Sequence, residues 1–352
     1  QLRILNQMLE ECRWLYNLLL EQRKTAWKQG QQSLNYYAQT TSLPALKKVR
    51  PPLAEVHSQV LQNVAMRIDL AFKSFFRRCK AGEKPGYPRF RGKERYASLS
   101  YPQMGMGWKL DGKGLHLGKI GKFRIVHHRS LEGIPKTCTI SRSATGKWFV
   151  SISCEVEPIP LSPSPEQVGI DVGLTHFAAL STGEQIENPR FFRTDEKALA
   201  KAQRRKKKQV AARIHERIGN RRRNFAHQQA RKIINRFGIV AAEDLSVNRM
   251  VHNHCRSKSI YDAAWSQFAQ FLFYKAAYAG RKLVWVNPAY TSQDCSQCGH
   301  RHPKPLSERI HRCSCCGLTL DRDENAARNI LRLGLQSLGL PLEATAAKAV
   351  VE

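Results

Sequence analysis

The sequence predicts a multidomain protein, α+β in its first half and α/β in its second, with a small metal-binding module set into the α/β part. Three observations carry that reading. Apolar residues recur every three or four positions up to about residue 80 and every two positions from 108 to 156, the periods of helix and strand. Pro158, Pro160, Pro163 and Pro165 deny both helix and central strand, and so mark a domain boundary. Two Cys-x-x-Cys pairs, at 295–298 and 313–316, have the spacing of a metal ribbon.

Taken in order, Leu2, Leu5, Leu9, Cys12, Leu15, Tyr16 and Leu19 predict an amphipathic helix over 2–27. Pro51-Pro52 is expected to open a second helix, in which Leu53, Val56, Val60, Val64, Ile68, Ala71 and Phe75 keep the same period. Its end turns basic through Arg77, Arg78 and Lys80. The segment 82–101 (GEKPGYPRFRGKERYASLSY) breaks helices and pairs cations with flat rings. Tyr87, Arg89, Arg91 and Arg95 are therefore candidates to grip and stack on nucleic acid, or to pack on a neighbouring domain. Short strands follow around 108–117, 123–126, 136–143 and 147–156, as a small β-barrel or curled sheet.

Beyond the prolines, Val168 to Ala179 and Gly183 to Ile186 read as a strand and hairpin, and Lys197 to Arg236 as a long helical region. Between 201 and 236 there are 14 Lys and Arg against one Glu, a density suited to a helix laid along phosphates. Arg204, Arg205, Lys206, Lys207, Lys208, Arg221, Arg222 and Arg223 are the candidates there. A strand at 237–245, a helix over Tyr261 to Ala279 and a strand at Lys282 to Val286 complete an α/β order.

The net charge of +30 (58 Lys and Arg against 28 Asp and Glu) repels itself unless a polyanion is present, so the expected partner is nucleic acid. The apolar stretches are interrupted too often for a membrane span of roughly 20 residues. Five of the ten cysteines crowd into 295–316, which argues for a reducing compartment rather than disulfides.

Asp171 lies within an apolar strand pattern between Gly169 and Gly173, Glu243 closes a second apolar strand, and Asp323 opens an expected helix (DENAARNILRLGL) with Asn325 two residues on. Three acids on three elements can converge at a sheet edge and hold two divalent ions for phosphodiester hydrolysis. Spacing alone leaves Asp244 and Asp321 as alternatives. Cys295, Cys298, Cys313 and Cys316, each pair followed by a glycine, suit one tetrahedral structural Zn2+. Cys315 stays open as a substitute ligand, and an iron–sulfur site is a weaker fit.

Together, GIDVGLTHFAALSTGE at 169–184, AAEDLSV at 241–247, NPAYTSQDCSQCG at 287–299 and CSCCGLTLDRDENAARNI at 313–330 resemble the TnpB family. That family comprises transposon-encoded proteins related to the type V CRISPR effector nucleases. LPALKK at 43–48, FKSFFRR at 72–78 and GYPRFRGKERYAS at 86–98 extend the resemblance over almost the whole chain.

The resemblance implies catalytic Asp171, Glu243 and Asp323, holding Mg2+ as two ions with Mn2+ as the substitute, and zinc on the four cysteines. It implies a helical recognition lobe at 1–90 and a wedge-like β-barrel at 91–160. A RuvC/RNase H-like nuclease is implied at 166–289 and 321–340, split by a target-nucleic-acid-binding zinc insertion at 290–320. The implied partners are a structured guide RNA from the transposon end and double-stranded target DNA carrying a short adjacent motif, with no membrane. A prokaryotic cytoplasmic, nucleoid-associated location follows. Relatives carry a short β-segment before the first helix, whereas this chain begins inside that helix. The alternative function is an RNA-guided repressor or transposon-end binder that does not cut.

Overall fold

The computed structural model describes residues 1–340, Lys113 and Leu306 excepted. Its contacts divide into two compact units that meet at Glu157 and Pro158, so the proline run falls at the start of the second.

In the first unit, α1 (Leu2–Gly30) buries Leu5, Leu9, Cys12, Leu15, Tyr16 and Leu19 on one face, as the three-to-four-residue period requires. Two short helices follow, α2 (Tyr36–Thr41) and α3 (Leu43–Val49). Pro51-Pro52 does not open the second long helix. The prolines start a 3₁₀ turn, Pro51–Glu55, and α4 (Ser58–Lys80) begins only after the His57 ring nitrogen has accepted the Gln59 N–H. Val60, Val64, Ile68 and Phe72 then face α1 in one core.

The β-rich part forms two antiparallel three-stranded sheets. One has the order β1 (Ser98–Tyr101), β5 (Ile134–Arg142), β6 (Trp148–Glu155). The other has β2 (Trp108–Asp111), β3 (Gly114–Leu117) and β4 (Gly121–Arg124). The stretch expected as one strand over 108–117 is thus a hairpin, and β1 forms the end of the helix-breaking segment 82–101. Leu99, Tyr101, Trp108, Leu115, Cys138 and Ile140 join the helical residues in a single apolar core.

The second unit is built on a five-stranded sheet. Its strands in chain order are β7 (Gln167–Val172), β8 (His176–Leu180), β9 (Gln185–Glu187), β10 (Ile239–Glu243) and β11 (Lys282–Val286), and their order across the sheet is β11-β10-β7-β8-β9. The first three are antiparallel, and β10 and β11 add in parallel on the other side, an α/β arrangement of the RNase H-like kind expected.

The basic region is two helices rather than one, α5 (Phe191–Arg204) and α6 (Lys208–Arg236). Five consecutive cations, Arg204 to Lys208, repel at helical spacings, and Lys206 takes a left-handed φ of 52° at the break. After α7 (Val247–Met250), the next helical stretch divides at Ala264 into α8 (Ser257–Ala263) and α9 (Trp265–Tyr278). Val168, Ile170, Val240 and Ala242 pack with residues of α6 and α9. The other sheet face is covered by α10 (Arg322–Ser337), whose Ile330 joins Ala241 and Val286. A two-stranded ribbon, β12 (Ile310–Arg312) and β13 (Thr319–Asp321), leads directly into α10.

Candidate active site and metal centre

Strand alternation puts Asp171 and Glu243 on the face that α10 covers, since Val168, Ile170, Val240 and Ala242 take the opposite face. The β7–β10 register pairs Ile170 with Ala242, so Asp171 and Glu243 are the next residues on adjacent parallel strands. Asp323 comes from the first turn of α10. Its Oδ2 reaches the end of β7, 3.9 Å from where a Cβ on Gly173 would stand.

Burial, then the nearby Glu243 and Asp323 carboxylates, hold the Asp171 carboxyl well above the ordinary carboxylate range, with Arg322 opposing them. Glu243 is also raised by burial, against a hydrogen bond of 2.6 Å that its Oε1 accepts from the Thr291 hydroxyl. Asp323 is flanked by two guanidiniums, Arg322 at 2.9 Å and Arg309 at 3.6 Å.

The two ambiguous acids separate cleanly. Asp321 is the N-cap of α10, accepting the N–H groups of Asp323 and Glu324 at 2.9 and 3.1 Å, while Asp244 is exposed beyond the strand. Among the described residues, only the four cysteines bring three or more potential ligand atoms within 4.8 Å of one another. The three carboxylates therefore interact electrostatically but stand wider apart than the shell of one small ion.

The cysteine cluster is built from two matching knuckles. Gly299 N–H bonds to Cys295 O at 2.9 Å and Gly317 N–H to Cys313 O at 3.0 Å, and both glycines have a φ of 77°, a region other residues enter only with strain. Sulfur pairs Cys295–Cys316 and Cys298–Cys313 lie 3.6 and 3.5 Å apart. The edge of a zinc–thiolate tetrahedron with bonds near 2.3 Å is about 3.8 Å, so the four residues fit that ion.

The backbone amides of Cys316 and Cys315 draw the Cys313 thiol down to about 6. At Cys316 the Leu318 amide acts likewise, but desolvation and the three neighbouring sulfurs outweigh it and push the thiol up to about 12. Such a cluster resists full ionisation until a cation neutralises it. Cys315 is exposed and stands outside it.

The basic candidates do not behave alike. Arg77, Lys80, Arg89, Arg91, Arg95, the run Arg204 to Lys208, Arg221 and Arg223 are exposed. Arg222 turns inward onto the buried Asp262 at 2.7 Å, and Arg221 stands 3.6 Å from Asp195. Arg78 is half-buried and donates to Ser74 O. Tyr87 packs edge-on against Phe72 and Phe75 with Lys24 over its ring, yet stays 43% exposed. Arg309, Arg322, Thr291 and Asn329 escaped the sequence reading. For Asn329 a signal existed, because it falls four residues after Asn325 on the apolar side of α10.

Residues 265–330 match the family model of the Cas12f1-like TNB domain, residues 151–254 one described as "Probable transposase", and residues 1–32 a helix-turn-helix domain. A model of the N-terminal part of amino acid permeases matches 32–75, but no helix among the described residues is long and apolar enough to cross a membrane. A candidate RNA-guided DNA endonuclease of Streptomyces pristinaespiralis is 37% identical over 343 residues, covering 92% of this chain and 83% of the relative. InsQ of Escherichia coli, named as a candidate for the same activity, is 32% identical over 356 residues, covering 92% and 86%.

The CRISPR-associated endodeoxyribonuclease Cas12f1 of Sulfoacidibacillus thermotolerans is 29% identical over 215 residues, covering 52% and 50%. Among solved structures, a Cas12f1 complex with sgRNA and target DNA superposes with a TM-score of 0.59 at 17% identity, covering 93% of this chain and 82% of that one. At that identity the likeness concerns the fold.

Proposed function

The chain belongs to the TnpB/Cas12f family of RNA-guided, transposon-encoded nucleases related to the type V CRISPR effectors, and from that premise we propose that Asp171, Glu243 and Asp323 form its DNA-cutting centre. The protein acts as an RNA-guided endonuclease on DNA. One observation carries the residue assignment: three acids from β7, β10 and α10 share one sheet face, and two of them raise the proton affinity of the third. Three clustered carboxylates, of which Arg309 and Arg322 pair only with Asp323, call for divalent metal.

The three carboxylates would hold Mg2+ as a pair of ions, with Mn2+ as substitute. When bound, such ions activate water and stabilise the leaving oxygen of the phosphodiester. The chain's own groups set the stage. Burial and two acidic neighbours raise the proton affinity of Asp171, which a bound cation would oppose, Arg322 and Arg309 balance the charge of Asp323, and the Thr291 hydroxyl donates to Glu243.

Zinc on Cys295, Cys298, Cys313 and Cys316 is structural, with all four positions filled by protein. The guide is RNA from the transposon end, and the target is double-stranded DNA with a short adjacent motif, cut in both displaced and target strands. Guide pairing supplies sequence specificity, while exposed cations of the helical lobe, the 82–101 segment and α5–α6 hold the phosphate backbones. The parts then act as a recognition lobe (1–90), a wedge (91–160), a nuclease (166–289 and 321–340) and a target-binding zinc insertion (290–320).

The test is a set of single variants, Asp171→Ala, Glu243→Ala and Asp323→Ala, assembled with guide RNA. Each is expected to bind RNA and target DNA like the parent and to lose Mg2+-dependent cutting. Parental cutting rates in all three variants would overturn the assignment.

A further inference from the structure

Glu243 is held by a residue of the segment that leads into the cysteine cluster. Thr291 is 3% exposed, its hydroxyl donates to Glu243 Oε1 at 2.6 Å, and its β-branched side chain has few rotamers to choose from. The Thr291 carbonyl accepts from Asn329 Nδ2 at 2.9 Å, and the same amide donates to Asp294 O at 2.6 Å. One turn earlier on α10, Asn325 donates to Asp294 O at 2.8 Å and accepts from Ser296 N at 2.9 Å, inside the first Cys-x-x-Cys knuckle.

Both asparagines are fully buried. Two wholly desolvated amides on a helix are costly unless their bonds are made, so they fix 291–296 against α10 with little freedom. Asp323 sits two residues before Asn325 on that helix. Glu243 and the first cysteine knuckle are thus linked by a short chain of hydrogen bonds through Thr291, Asn329 and Asn325, and Asp323 lies on the helix that carries both asparagines.

We propose that Thr291 is a positioning residue for Glu243, and that Asn325 and Asn329 make its placement conditional on an intact, zinc-filled cysteine cluster. The proposal rests on Glu243 belonging to the cutting centre. A glutamate at a strand end rotates about several bonds. The Thr291 hydroxyl fixes Oε1 and leaves Oε2 for a cation, and outer partners of this kind alter metal affinity or activity by about 10- to 100-fold.

The test compares Thr291→Val, which keeps the shape and removes the hydroxyl, with Thr291→Ser, which keeps the hydroxyl, in the RNA complex with zinc present. Thr291→Val should retain one zinc per chain and parental DNA affinity, cut about 10- to 100-fold more slowly in single turnover, need more Mg2+, and gain less unfolding temperature on Mg2+ addition. Thr291→Ser should recover the parental values on all of these. The zinc link is read by stripping zinc with a thiol chelator and restoring Mg2+, whereupon parent and Thr291→Val should become equally slow, and zinc return should separate them again.

A Thr291→Val enzyme with parental rate and Mg2+ requirement would overturn the proposal. So would a Thr291→Ser enzyme as defective as the valine variant, or an unchanged gap between parent and variant after zinc removal. Cutting by Glu243→Ala would instead refute the underlying assignment. Loss of cutting there beside a normal Thr291→Val would refute this inference alone.

Discussion

Because the Asp171 carboxyl holds its proton well above the usual range, its ionisation in the cation-free protein works against folding. Below the unfolded carboxylate value, near about 3.9, both states are protonated and nothing is lost. As pH rises toward the elevated folded value the cation-free protein loses stability, and a divalent ion restores it by taking the proton's place. Two outcomes follow for the metal: the Mg2+ concentration for half-maximal cutting should rise as pH falls through that elevated value, and the Mg2+-induced gain in unfolding temperature should shrink with it. Asp171→Asn should unfold at a higher temperature than the parent without Mg2+ at neutral pH and show a reduced Mg2+ response, which differential scanning fluorimetry can follow. Asp171 and Glu243 stand out in the sequence because a carboxylate within or at the end of an apolar strand is conspicuous. The partners of the three acids do not, since Arg309, Arg322 and Thr291 meet them only through tertiary contacts, and the capping role of Asp321 depends on where α10 starts.

Between β7 and α10 the packing tolerates no side chain at Gly169, where a Cβ would stand 2.0 Å from Ala327 O and 2.7 Å from Leu331 N, both backbone atoms that cannot rotate away. Gly169→Ala should therefore displace α10 and cost about 1–3 kcal/mol. It should lower cutting more than DNA binding, because Asp323 rides on that helix. Chemical denaturation with parallel binding and cleavage assays would measure both. In the ribbon, Cys313→Ser should lose zinc and local order, as elemental analysis and hydrogen exchange over 291–321 would register. Periodicity located most helices and strands, but it missed their interruptions. The breaks at Lys206 and Ala264 leave the apolar spacing intact, and the Pro51 turn satisfies the same spacing as a helix start.

A charge of +30 spread over exposed cations in both units sets the behaviour of the whole molecule. Purified protein should carry RNA encoded beside its own gene, and stripping that RNA should abolish sequence-directed cutting until it is added back. Affinity for the RNA should fall steeply as salt rises, because each neutralised phosphate releases counterions. Random cellular RNA, together with unchanged directed cutting after its removal, would refute guide dependence. The boundary between units was legible because four prolines within eight residues leave few alternatives to a linker. The single core shared by helices and sheets in the first unit was not, since local period says nothing about which elements bury one another.

The sheet that carries Asp171 is finished by a helix that follows all five of its strands in the chain. Until α10 has been added, nothing covers the face that Gly169, Ala241 and Val286 share, and the acid from α10 does not yet exist. The exposed cations of α4, α5 and α6 are by then already translated. A nascent chain therefore presents these cations before its three acids can come together.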